Sequence, residues 1–160
     1  MRDHERVVFD CNVFFQALIS PTGPAGRLFN LAAVQRVDLF VSEYVLAELR
    51  ELTAETKIVA KYRLSAELME EFFEKLTTAA VLVETVPSVF EFPRDPDDAH
   101  YVDLALAAGA KLIVSRDKDL LSLADILTPE GRDFHARFPD LAVLTPVQLL
   151  AILGEIPPPK

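Results

Sequence analysis

Val7-Val8-Phe9-Asp10-Cys11-Asn12-Val13 is the stretch whose reading decides the fold. An apolar run without alternation ends in a carboxylate, and helix-compatible residues follow at once. Such a run, over 6–10, is expected as a strand buried on both faces that carries Asp10 to the mouth of a sheet. Taken alone, Asp10 and Asn12 read as caps of the helix that follows, because Asp and Asn are favoured at that position. The rest of the chain gives Asp10 a second candidate role, as one of several acids converging on a metal ion.

The same pattern recurs downstream. Apolar strands are expected at 38–42, 81–86, 111–115 and 141–144. Helices are expected at 12–19, 25–37, 43–55, 65–79, 98–108 and 146–153, with a helical turn at 120–124. Residues 56–63, with Lys57, Lys61 and Arg63, read as a solvated basic face, and 128–137 as a polar loop with one turn near Phe134. Gly109 ends the helix before it, and the Ser20-Pro21-Thr22-Gly23-Pro24 cluster separates the first two helices. Strands that alternate with helices argue for an α/β sandwich with a parallel sheet. No repeat or linker divides the chain, so 1–153 is expected as a single domain, and 154–160, with Pro157-Pro158-Pro159, as an extended, disordered tail.

Bulk properties narrow the function. A chain of 160 residues suits one domain with a proper core. A net charge of −9 argues against holding nucleic acid by a bulk positive field. It leaves room for an enzyme whose carboxylates bind cations that in turn bind phosphate. The lone cysteine, Cys11, permits neither an internal disulfide nor a Cys-based zinc site. The charged start, Met1 to Arg6, does not read as a signal peptide, and no apolar run reaches the ~20 residues of a membrane span. The expectation is a cytoplasmic protein with no membrane partner.

Four acids can meet on one sheet edge. In parallel α/β sheets the strand carboxyl ends share an edge, and sites lie in the crevice there. Asp10 and Asp117 follow strands, Glu48 lies about two turns into the helix after a strand, and Asp98 opens a helix that leads into one. On a helical wheel Glu48 borders the stripe of Val45, Leu46, Leu49 and Leu52, whereas Glu51 faces away. Asp95, Pro96 and Asp97 suit a cap, a first helical position and a first turn. Asp98 instead falls inside the apolar arc of Tyr101, Val102, Ala105 and Leu106 and is aimed inward, while His100 and Asp103 are expected on the solvent side. Clustered carboxylates raise one another's pKa, and a divalent cation relieves that repulsion. Oxygen-only ligands point to Mg²⁺ or Mn²⁺ rather than Zn²⁺.

These stretches resemble the PIN domain, specifically its branch of toxins from toxin–antitoxin systems, relatives of the VapC ribonucleases. Val8 to Val13 is similar to its first motif, usually Asp-Thr-Asn; Ser42 and Glu48 fall on its second. Asp95-Pro96-Asp97-Asp98, with Asp103-Leu104-Ala105, matches the third, and Val114-Ser115-Arg116-Asp117-Lys118-Asp119 the fourth. The resemblance covers roughly 6–153 and implies a PIN-like sandwich with five parallel strands. It implies Asp10, Glu48, Asp98 and Asp117 as a catalytic, metal-binding quartet, supported by Asn12, Ser42, Ser115 and Asp119. Arg116 and Lys118 are weaker candidates for substrate contact. The implied activity is Mg²⁺- or Mn²⁺-dependent hydrolysis of RNA, single-stranded or structured, with a cognate antitoxin as partner and a homodimer as the assembly. Cys11 stands where Thr or Ser is usual, Ala99 where Asn is common, Arg116 where Gly is common, and 125–140 is longer than the usual connection.

Two other readings compete. A catalytically silent RNA-binding or scaffold subunit would keep the fold, but it has no need to gather repelling charges. Phosphoaspartyl domains also place Asp at strand ends, yet they want an adjacent acidic pair or Asp-x-Asp, and Asp10-Cys11-Asn12 is neither.

Overall fold

Strand β1 (Arg6–Phe9) lies at the centre of a five-stranded sheet with β2 (Asp38–Val41), β3 (Ala80–Leu82), β4 (Leu112–Val114) and β5 (Ala142–Leu144). The order is β3-β2-β1-β4-β5, and every neighbouring pair is parallel. The structure, a computed structural model, describes residues 4–157. Val7, Val8 and Phe9 point alternately to the two faces of the sheet, and all three are fully buried. Helices therefore cover both faces, the arrangement that a non-alternating apolar strand requires. The chain leaves β1 toward β2 on one side and reaches β4 on the other, so the crevice at the carboxyl end of β1 is the topological switch point.

The helices are α1 (Cys11–Ile19), α2 (Pro24–Ala33), α3 (Glu43–Ala54), α4 (Thr56–Tyr62), α5 (Ala66–Ala79), α6 (Ala99–Ala108), α7 (Lys118–Leu121), α8 (Pro129–Arg137) and α9 (Pro146–Ile152). Side-chain caps set several starts: Ser42, Ser65, Thr128 and Thr145 each accept a backbone N–H of the first turn. Gly109 ends α6 with a φ of 64°, a left-handed cap that glycine adopts without strain.

Four segments differ from the sequence-based expectation. The helix expected over 25–37 stops at Ala33, because Gln35 turns to a φ of 62° and the Arg36 N–H closes back on the Leu31 carbonyl. Residues 56–63 are not merely a basic face but carry α4, seated by Tyr62 edge-on to Phe15 at 5.2 Å. The strand expected over 81–86 is only Ala80–Leu82. The polar stretch 128–137 is helix α8, capped by Thr128 and anchored by the buried Phe134. Gly131 is required there, since a Cβ would lie 1.8 Å from the Asp125 carbonyl oxygen.

Helix α8 has a structural task. Residues 83–95 have no regular structure. Phe90 packs on Phe92, Phe134 and Phe138, with ring centroids 5.6–5.8 Å apart. Asp103, expected on the solvent side, is instead buried and accepts the Val89 and Phe90 N–H groups at 3.0 and 2.8 Å. Two backbone donors replace the water it gives up. The long 125–140 connection and Asp103 thus hold the segment that delivers the third acidic motif.

The chain stays packed through Ile156: Glu155 pairs with Arg36 at 3.0 Å, and its carbonyl accepts from Arg27. The remainder of the expected tail, 158–160, lies outside the described residues. Among the described residues, no helix is long and apolar enough to cross a membrane.

Candidate functional site

Asp10 follows β1, and its N–H extends the ladder to the Val114 carbonyl at 3.0 Å. One carboxylate oxygen accepts the Val13 N–H at 2.9 Å and so caps α1. The other accepts a hydrogen bond from Ser115 Oγ. Capping and site membership are therefore both true of this one side chain. The capping share offered to Asn12 is corrected: Asp10 does the capping, and Asn12 is exposed at the rim of the cleft.

Ser115 is fully buried and joins two acids. Its hydroxyl donates to Asp10 and accepts the Asp117 N–H at 2.9 Å. Asp117 Oδ1 then accepts the Asp119 N–H at 2.7 Å, which caps the short α7. Asp119 thus supports Asp117 through its backbone.

The third motif behaves differently. Asp95 occupies a cap position but makes no capping bond, contrary to the expected role. Instead Asp95, Asp98 and Asp117 each offer an oxygen, and these oxygens lie within 4.8 Å of one another. Asp98 Oδ2 is buried without any hydrogen-bond partner. A buried carboxylate oxygen left unpaired is costly, and a cation is the kind of partner that offsets the cost. Asp95 was missed as a candidate ligand because Asp-Pro at a helix start has a sufficient explanation in capping.

Glu48 reaches the cleft from α3. Its Oε1 accepts from the Tyr101 hydroxyl at 2.9 Å, and that hydroxyl accepts the Cys11 N–H at 3.0 Å. Tyr101 thereby ties α1, α3 and α6 together. It stood in the apolar arc of its helix, and nothing in that pattern pointed to its hydroxyl. Cys11 contributes its backbone N–H, while burial, then the charges of Glu48 and Asp10, push its thiol up to about 12.

Asp10, Glu48, Asp98 and Asp117 line one cleft of about 230 Å³ together with Cys11 and Tyr101. The tight oxygen cluster is the Asp95–Asp98–Asp117 set, with Asp10 and Glu48 around it. Ser42 lies elsewhere. It caps α3 and shares a 2.7 Å hydrogen bond with His100 Nε2. His100, expected on the solvent side, is half-buried, and burial lowers its pKa despite the opposing charge of Asp103. Arg116 lines a separate cleft of about 390 Å³ with Gln16, Leu121 and Thr145, and Lys118 is exposed.

The electrostatics follow from burial. Asp10 is pushed up to about 6, by burial first and the Asp117 charge second, against the hydrogen bonds from Ser115 and Val13. Asp98 is pushed up to about 8 by burial, then by the charges of Asp117, Asp95 and Asp10. Glu48 is raised by burial and by Asp97, Glu51 and Asp95, against the Tyr101 hydrogen bond. The donor set is all oxygen, the type that suits Mg²⁺ or Mn²⁺. A crowd of carboxylates with one orphaned buried oxygen fits such an ion.

Comparison with known proteins accords with this arrangement. A family model described as PIN domain matches residues 6–119, a span that includes every acid of the cleft. An uncharacterized protein of Methanocaldococcus jannaschii is 29% identical over 120 residues, which cover 75% of this chain and 76% of that one. A chain of the crystal structure of VapBC2 from Rickettsia felis, bound to a DNA fragment from their promoter, matches with a TM-score of 0.52. The identity there is 13%, over 88% of this chain and 98% of the other, so the likeness is one of fold.

Proposed function

The chain belongs to the PIN-domain family, and on that premise we propose that it is a Mg²⁺- or Mn²⁺-dependent endoribonuclease, the toxin of a toxin–antitoxin pair. The observation that carries the reading is Asp98 Oδ2, buried and unpartnered among Asp95 and Asp117. We assign Asp10, Asp98 and Asp117 as the principal ligands, with Asp95 joining them and Glu48 acting directly or through water. When bound there, the cation lowers the pKa of a water molecule and offsets the charge that builds on the phosphate.

The chain's own residues prepare that chemistry. Ser115 fixes the Asp10 carboxylate and the Asp117 backbone at once, so both acids keep their orientation before substrate arrives. Tyr101 occupies one oxygen of Glu48 and leaves the other to orient water or accept its proton. Asp10 and Asp98 hold protons more tightly than ordinary carboxylates, and both would have to give them up to act as ligands.

A net charge of −9 and an acidic cleft also suit a basic side chain of an antitoxin, which would occupy the pocket and block it. The similarity to the Rickettsia felis VapBC2 structure supports that partner. A homodimer in the cytoplasm completes the proposal.

The test is cleavage of single-stranded RNA with Mg²⁺ or Mn²⁺, comparing the wild type with Asp10→Asn. Cleavage that stops in EDTA and in the variant supports the reading. Cleavage indifferent to both sinks it, and a wild type that cleaves nothing and shows no thermal shift with Mn²⁺ sinks it in favour of a silent scaffold.

A further inference from the structure

Beside the acid cleft stands an aromatic pair that the metal chemistry leaves unused. The Tyr44 and His100 rings lie 4.3 Å apart, tilted by 35°, and Tyr44 keeps 41% of its surface exposed. An exposed tyrosine on an otherwise ordinary helix would be free to swing. This one is backed by an imidazole whose Nε2 is held by Ser42 Oγ at 2.7 Å, and Ser42 is itself buried as the cap of α3. The imidazole is therefore held by the buried Ser42, and the tyrosine packed against it keeps part of its surface open to solvent.

Its location follows from helix geometry. Tyr44 is four residues before Glu48 on α3, so both project from one face of that helix. His100 directly precedes Tyr101, whose hydroxyl holds Glu48, and lies two residues beyond Asp98. The flat surface thus borders the acids that would hold a phosphodiester.

Resting on the nuclease reading above, we propose that Tyr44, backed by His100, is a stacking platform for one unpaired nucleobase of single-stranded RNA next to the bond being cut. An acidic protein gains little from long-range attraction to RNA. Short-range contacts therefore carry more of the hold on the strand, and stacking on an aromatic face is one that tolerates any base. A base inside a duplex has its faces covered, so the platform selects unpaired strands.

Two measurements test this separately from cleavage. The first is binding of a fluorescein-labelled single-stranded RNA octamer in Ca²⁺, read by anisotropy, for wild type, Tyr44→Phe and Tyr44→Ala. Tyr44→Ala should bind roughly tenfold or more weakly, the size of one base–aromatic stack, and Tyr44→Phe like wild type. An abasic octamer of the same length should bind equally to all three. The second is cleavage of the natural-base RNA with Mn²⁺, where Tyr44→Ala should raise KM by a similar factor and leave kcat and the Mn²⁺ dependence unchanged. A wild type that binds and discriminates but does not cut would overturn the nuclease reading and keep the platform. Equal binding of the octamer by wild type and Tyr44→Ala, a Tyr44→Phe as weak as Tyr44→Ala, or no binding at all would overturn the platform.

Discussion

The acid cleft has two halves built on different principles. Asp10 and Asp117 stand at the ends of central strands, and each has its carboxylate pinned by a backbone N–H; Ser115 joins them, donating to the Asp10 carboxylate and accepting the Asp117 N–H. Asp95 ends the irregular segment and Asp98 closes the 3-10 turn Pro96–Asp98 that leads into α6; neither makes a capping bond, and one oxygen is left orphaned. The first half is oriented by local hydrogen bonds that exist without any ligand. The second has its backbone held, by the Asp95 N–H on the Phe92 carbonyl, the Asp98 N–H on the Asp95 carbonyl and the packing of Phe90 on Phe92 and Phe134 behind it, while its carboxylates are left without a capping bond. A cation held in the cleft as proposed would take its orientation from the strand-end half and relieve electrostatic cost chiefly in the loop half.

The largest effect should come from the loop half. Asp98→Asn removes the orphaned carboxylate oxygen and a ligand together. RNA cleavage should fall by more than about a hundredfold, since metal stabilisation of the transition state is worth several kcal/mol. The metal-free variant should nonetheless melt at a higher temperature than metal-free wild type at neutral pH, because a group whose folded pKa is raised lowers stability at every pH above its ordinary pKa. A variant that melts lower would mean that Asp98 already has its partner in the protein.

Next comes the packing behind that half. Phe134→Ala empties a buried aromatic site and should cost about 3–5 kcal/mol in denaturant titration. Hydrogen exchange should rise first across 83–95 and Mn²⁺ affinity should drop with it. Uniform loosening of the whole chain would show that the loop is not separately held by α8.

Ser115→Ala probes the other half. The Asp10 carboxylate loses a donor and the Asp117 N–H loses an acceptor. Mn²⁺ affinity should weaken roughly 10–100-fold, the usual effect of removing a group that orients a ligand. Calorimetric titration reads this directly, and affinity equal to wild type would show that the pinning is irrelevant to metal.

The last effect is in pH. The folded pKa values of Asp10 and Asp98 lie above the ordinary 3.8, at about 6 and about 8. Between those limits the folded state binds more protons than the unfolded one, so metal-free stability falls as pH rises from about 4 to about 8. Melting curves in EDTA should show the decline; saturating Mn²⁺ should flatten it. In Asp98→Asn the decline should end near pH 6. A metal-free melting temperature that climbs through this window would contradict the assigned shifts.

Much of this arrangement was legible in the sequence, and for identifiable reasons. The apolar run ending at Asp10, and its echo before Ser115 and Asp117, reports burial on two faces, which only a parallel sheet covered by helices provides. The inward turn of Asp98 was visible on the wheel because an apolar arc surrounds it. Asp95 was hidden by a capping explanation that the backbone does not use. Asp103 and His100 were misplaced because a wheel knows only its own helix. Their partners are Phe90 and Ser42, 13 and 58 residues away in sequence. Helix α8 was masked by its polar composition, although Thr128-Pro129 is a good helix start and Phe134 its single deep anchor.

Direct titration of Mn²⁺ into wild type and Asp98→Asn at neutral pH tests the central claim, that these acids are gathered to hold a cation. Saturable binding by the wild type, with proton release and a rise in melting temperature, is predicted, and both should vanish in Asp98→Asn. Wild-type protein that takes up no Mn²⁺, or a variant that binds it as tightly as wild type, would contradict it.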